Sequence, residues 1–112
     1  MTVGEWLARR TPVPPPALRT RLTQALGGAG DADVSLGTDV CLRAAERLVA
    51  SLLRDQCTTR ESALDLLTAD ALVTYAFECA GETPADLAPR AAEAMRRIAA
   101  LGAADREAAT AS

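Results

Sequence analysis

The stretch ALDLLTADALVTYAFECAGE, residues 63–82, decides how this chain is read. Nothing in it breaks a helix before Gly81, so it supports about five unbroken turns. Its apolar residues do not keep to one stripe. Leu64, Leu67, Ala71 and Tyr75 recur on one side, Leu66, Val73 and Phe77 on another, and Leu72, Ala76 and Cys79 fill the space between. A helix that is apolar nearly all round is expected to be central and buried. In a monomer the other helices must wrap it; in an oligomer part of its surface is an interface. On this reading Leu67→Asp puts an unpaired charge in the core or the interface and costs about 3–5 kcal/mol.

The flanks set its limits. Upstream, Thr58 and Glu61 fit the capping box Ser/Thr-x-x-Glu, with Thr59 as an alternative cap one residue later. Downstream, Gly81 supplies the stop. A preceding helix is predicted from about Asp39 to Gln56. Thr38 is its N-cap, and Ala44, Ala45, Leu48, Val49, Leu52 and Leu53 form a broad apolar stripe, while Glu46 and Arg47 are read as solvated. Between Gly27 and Asp39 lies a Gly/Asp-rich stretch, read as a flexible connection because its glycines lack phosphate-binding spacing and follow no strand. After Gly81, Thr83-Pro84 marks another start, and Pro89 moves the regular helix towards that residue. There Leu87, Ala91, Met95, Ile98 and Leu101 share a face, Glu93, Arg96 and Arg97 point away, Gly102 closes the helix, and the last residues fray.

At the other end, residues 2–9 are expected to form a short helical turn. TPVPPP, residues 11–16, follows as an extended polyproline segment, and Pro16 is suited to open the short helix ALRTRLTQAL, residues 17–26. The expected organisation is therefore a Pro-rich arm over 1–16, a helical bundle over 17–102 and a disordered tail over 103–112. The fold class is all-α: a small bundle of three longer helices plus a short N-terminal one, with short connections favouring antiparallel neighbours.

Composition agrees. Of 112 residues, 49% are apolar, yet only Trp6, Tyr75 and Phe77 are aromatic, so Leu, Ala and Val must build the core. Alanine favours helix and lets axes approach, whereas the shortage of β-branched and aromatic residues argues against a sheet. All twelve basic residues are arginine, and there is no histidine or lysine. The usual general base, the usual metal ligand, Schiff-base chemistry and a P-loop lysine are therefore missing. Cys41, Cys57 and Cys79 have no Cys-x-x-Cys spacing and read as free thiols used as small hydrophobes, so no disulfide framework, zinc site or other cofactor is expected. A net charge of −3 argues against non-specific nucleic-acid binding. No apolar run is long and charge-free enough to span a bilayer, and the start MTVGEWLARRTP lacks a signal-peptide core, so the expected location is cytoplasmic.

LLTADALVTYAF, residues 66–77, resembles a helix of the all-α isoprenyl diphosphate synthases, the one that follows their first aspartate-rich motif: apolar residues, a small-residue–Asp–Ala–Leu core and an Ala-Phe ending. Arg60 lies upstream, outside the arginine pair usual in that family. The chain has no DDxxD motif, and its Asp55, Asp65, Asp70 and Glu78 are dispersed, so the convergent carboxylates that hold magnesium and diphosphate are missing. What the resemblance implies is a catalytically inactive relative, or a bundle that holds a prenyl-like apolar ligand in a cleft around Leu66, Asp70, Val73 and Phe77.

The arm is the other surface feature. EWLARRTPVPPPALRTRL gathers Arg9, Arg10, Arg19 and Arg21 beside Trp6, and an exposed Trp next to arginines and a PxxP spacing suits a docking element. The competing reading packs the arm onto its own bundle or a second subunit, with Trp6 filling a groove. The resulting expectation is a non-enzymatic helical interaction or scaffold protein, self-associating, with a dimer favoured or else a protein partner. Its interface would use Trp6, Leu7, Arg9, Arg10, Leu67, Ala71 and Tyr75. Two alternatives remain: the apolar-ligand bundle, and a regulatory protein with an Arg-rich docking arm.

Overall fold

Helix start and stop chemistry places five α-helices among the described residues. The computed structural model describes residues 1–55, 59–82 and 87–111. The helices are α1 (Val3–Ala8), α2 (Pro16–Leu26), α3 (Gly37–Asp55), α4 (Arg60–Gly81) and α5 (Leu87–Ala111), with short 3-10 turns over Gly27–Asp31 and Val34–Leu36. Among the described residues there is no strand, only an isolated bridge between Thr2 and Asp33. The protein is an all-α bundle. No helix among the described residues is long and apolar enough to cross a membrane.

Each start has a local cause. In α1, Glu5 N donates to Thr2 Oγ1 at 3.1 Å while Thr2 N donates to Glu5 Oε2 at 3.2 Å, a reciprocal capping box. Pro16 opens α2, where its missing N–H leaves no bond unmade, and Gly27, at φ +54°, closes it in a conformation that side chains resist. The cap of α4 is Thr59, with Ser62 taking the place of the glutamate: Ser62 N donates to Thr59 Oγ1 and Thr59 N to Ser62 Oγ. Gln56, Cys57, Thr58 and the Thr83-Pro84 pair lie outside the described residues.

Helix α3 starts at Gly37, two residues before the expected start at Asp39, so Thr38 is not its cap. Thr38 is buried, and its Oγ1 donates to the Ala76 carbonyl at 3.4 Å. The reason is close approach to α4. A Cβ on Gly37 would sit 2.7 Å from Cys79 Sγ. The Gly/Asp-rich stretch before it is not a loose connection. It is folded into the two 3-10 turns and fastened to the N-terminus, with Val3 N donating to Ala32 O at 2.9 Å and Val34 N to Met1 O at 3.0 Å. At the far end, α5 runs through Gly102 to Ala111, past the predicted stop and along the predicted tail. Gly102 lacks the positive φ of a helix-closing glycine, and the alanine-rich residues after it favour continuation.

Small residues build the core. Cys41, Ala44, Ala45 and Leu48 of α3 lie with Ala69, Leu72 and Ala76 of α4, and Val3, Leu22, Leu26 and Ala94 join them from the other helices. Val3 is fully buried, so α1 packs as part of the bundle formed by the later helices. The buried Thr68 hydroxyl is satisfied by donating to Leu64 O at 2.7 Å, one turn back.

Helix α4 is not wrapped on most faces. Its buried stripe comprises Thr68, Ala69, Leu72, Ala76, Cys79 and Ala80, while Leu66 is 61% and Leu67 59% exposed. Packing through alanine brings axes close but covers little of each helix's girth, so the opposite side of α4 stays open. A charge at Leu67 therefore meets solvent in a single chain, and its cost falls to the surface level of about 0.5 kcal/mol or less.

Polar ties between helices also depart from expectation. Glu46 and Arg97, read as pointing outward, form an ion pair between α3 and α5, each about three-quarters shielded. Arg47 donates to the Ala25 carbonyl at 3.2 Å, satisfying an open acceptor in the last turn of α2. Arg21 Nε pairs with Asp65 Oδ1 at 2.6 Å, joining α2 to α4.

The close approach of α3 to α4 is testable. Gly37→Ala is expected to destabilise by about 1–3 kcal/mol through overpacking. In a Cys79→Ala background the sulfur is gone and the next atom lies 3.9 Å away. There the same change is expected to be neutral, or stabilising by up to about 1 kcal/mol through helix propensity. Urea denaturation of the four proteins measures the cycle, and equal penalties in both backgrounds would remove the argument.

Candidate functional site

Two surfaces matter: the pocket under the N-terminal arm and the open side of α4. The arm is organised by Trp6, which is 4% exposed. Its Nε1 donates to Glu82 Oε1 at 3.0 Å, just past the end of α4. Its ring meets Tyr75 edge to face, with centroids 6.4 Å apart at 88°. The Arg10 guanidinium lies over its face at 4.1 Å. The indole thus has a cation over its ring, an acceptor for its N–H and an aromatic neighbour in the edge-to-face arrangement that ring quadrupoles favour. Trp6 is therefore not an exposed docking residue. The chain itself supplies its acid, its cation and its aromatic neighbour.

The rest of the expected interface divides in two. Leu7 and Arg10 are half-buried in the arm and Arg9 is exposed; Leu67 is exposed on α4, and Ala71 and Tyr75 are half-buried there. Tyr75 belongs to the Trp6 cluster. Ala71 lies one turn before Tyr75 and packs with it against the core, while Leu67, a further turn back, is open to solvent.

Between α1, the proline segment, α2 and the first 3-10 turn lies a cavity of about 600 Å3. Leu7, Leu22 and Leu26 give it an apolar wall, and Arg10, Arg19 and Tyr75 also line it. Burial pushes the Tyr75 hydroxyl above its ordinary pKa, with Glu78 adding to the rise and Arg10 opposing it, so the phenol stays a donor at neutral pH. Arg10 Nε is buried without a hydrogen-bond partner.

None of Leu66, Asp70, Val73 and Phe77 lines this cavity. They follow one another along α4, with Leu66 and Asp70 exposed and Val73 and Phe77 half-buried against the core. Asp65 is engaged by Arg21, while Asp70 faces solvent. Among the described residues no group of three or more acidic or cysteine side chains is placed to hold a metal ion.

Cys41 and Cys79 are buried free thiols. Desolvation, reinforced by the neighbouring Cys79, pushes the Cys41 thiol up to about 12, which keeps it protonated and unreactive at neutral pH. Cys79 makes a weak Sγ contact to Val34 O at 3.8 Å.

The concentration of arginine in the arm marked this region in the sequence. What it could not mark was the cavity wall, because Leu22 and Leu26 look like ordinary stripe residues until α1 folds back over them. Compared with protein-family models, curated proteins and solved structures, the chain matches none.

A pH dependence follows from Cys41. Its folded pKa lies above the ordinary 9.0, so the stability it confers is fully present below pH 9 and is lost as pH rises through about 12. Across that window the unfolded chain has released a proton that the folded chain keeps, a slope of about −1.4 kcal/mol per pH unit. Urea midpoints measured from pH 8 to 11 are expected to fall more steeply for the parent than for Cys41→Ala. Parallel profiles would count against a sealed thiol.

Proposed function

We propose that this chain is a non-enzymatic helical interaction protein that self-associates as a dimer through the open side of α4. The observation that carries the reading is the exposure of Leu67, 59%, at the middle of a face with self-complementary chemistry. At about 3.6 residues per turn, Arg60, Ala63, Leu67, Ala71, Thr74 and Glu78 share one side of α4. All are exposed except Ala71, which is half-buried. Arg60 and Glu78 have no ion-pair partner among the described residues.

Two copies of this helix laid antiparallel about a two-fold axis level with residue 69 place Arg60 opposite Glu78 of the second copy. The same register sets Leu67 against Ala71, and symmetry repeats every pair. Ala71 and Thr74 are small enough to receive Leu67 as a ridge into a groove. Burial of Leu67 supplies the affinity, and the two charge pairs fix the orientation. The absence of histidine and lysine from the sequence supports a binding role rather than catalysis.

Light scattering over a concentration series tests this. The parent is expected to reach twice its 11.7 kDa mass as concentration rises. Leu67→Asp is expected to remain monomeric with its thermal stability little changed. Arg60→Glu or Glu78→Arg alone is expected to weaken the dimer about fivefold, and the two together to restore it. A monomer at every concentration overturns the reading. A dimer indifferent to the charge reversals overturns the antiparallel register.

A further inference from the structure

The cavity beneath the arm has an asymmetry that the α4 face does not explain. Its volume, about 600 Å3, falls within the range of pockets that enclose small organic molecules. One wall is apolar: Leu22 and Leu26 are core residues, and Leu7 packs beside them. Two arginines also line it, and neither has a carboxylate partner among the described residues. Arg10 is held by the Trp6 ring, and its Nε is shut off from solvent with nothing accepting from it. A cation stripped of part of its water and given no anion gains more from an incoming negative charge than a fully hydrated one does. Arg10 does not stand alone, because Tyr75 lines the same cavity and its phenol lies within the field of that charge.

The acids around the cavity leave this attraction in place. Glu5 is committed to the amino end of α1, where its Oε2 accepts from Thr2 N at 3.2 Å. Asp31 lines the cavity but is exposed, so water screens it.

We infer that this cavity binds an amphipathic organic anion, a carboxylate with an apolar body. The carboxylate is received by Arg10, Arg19 and the Tyr75 hydroxyl, and the hydrocarbon lies against Leu7, Leu22 and Leu26. Arginine suits this role because its planar fork offers two parallel donors to a carboxylate. None of Arg60, Leu67, Ala71 and Glu78 lines the cavity, so variants at Arg10 and Arg19 test ligand binding without altering the α4 face.

Isothermal titration calorimetry of the full chain with decanoate, and with decanol as a neutral analogue of equal chain length, tests the inference. Decanoate is expected to bind at least tenfold more tightly than decanol. Arg10→Gln and Arg19→Gln are each expected to weaken decanoate about tenfold while leaving decanol unchanged. Arg19 is exposed, so its variant keeps the fold even if loss of the Arg10–Trp6 stack disturbs the arm. Equal affinity for acid and alcohol, decanoate binding that neither variant weakens, or no binding of either compound would each overturn the proposal.

Discussion

Everything in this bundle depends on how closely α3 and α4 approach. Gly37, Cys41, Ala44 and Ala45 on one helix and Ala69, Ala76, Cys79 and Ala80 on the other leave little between the two backbones. Closely spaced axes gain dispersion contacts along the whole seam, and alanine loses no side-chain entropy in doing so. The same choice limits the core. Two helices joined by small residues enclose few large side chains, so the pair cannot bury enough apolar surface alone.

The N-terminal arm supplies the missing bulk. Val3 enters the core, and Trp6, the largest side chain present, covers the end of the seam beside Tyr75. Trp6 can be buried at this cost only because its N–H reaches Glu82. The Gly/Asp-rich turns that follow α2 are ordered for a related reason: they present the carbonyl of Ala32 and the N–H of Val34 to the first residues of the chain. Arm, turns and seam thus form one packed unit. The cavity lies where the proline segment spans from α1 to α2 without filling the space beneath it.

The helical architecture was legible in the sequence because helix ends carry strong local chemistry. Pro16, Gly27, Thr59 and Gly81 mark ends within a residue or two of where they fall, whereas the Thr2–Glu5 capping box went unread. Which face of each helix is buried was less legible. Periodicity weighted by side-chain size favours Leu66 and Leu67 over Ala69 and Ala76, yet the alanines are inside and the leucines outside. In a core built on close approach, small size is the burial signal, and a hydrophobicity pattern misreads it. Cross-helix ties such as Glu46 with Arg97 depend on the relative register of α3 and α5, which no local pattern encodes. The arginines and Tyr75 of the candidate pocket were visible as residues. Their convergence was not, because it follows from the arm folding back so that position 10 meets position 75.

Trp6 also has an optical consequence. It is the only tryptophan in the chain, and it sits in the arm rather than in the long helices. Its indole is stacked under a guanidinium, bonded to a carboxylate and close enough to Tyr75 to receive its excitation energy. Emission from this protein is therefore a reading of one joint. Fluorescence reports whether the first ten residues are seated, while circular dichroism, dominated by α3, α4 and α5, reports whether the helices persist. Where the two signals part, the arm has left a bundle that is still folded.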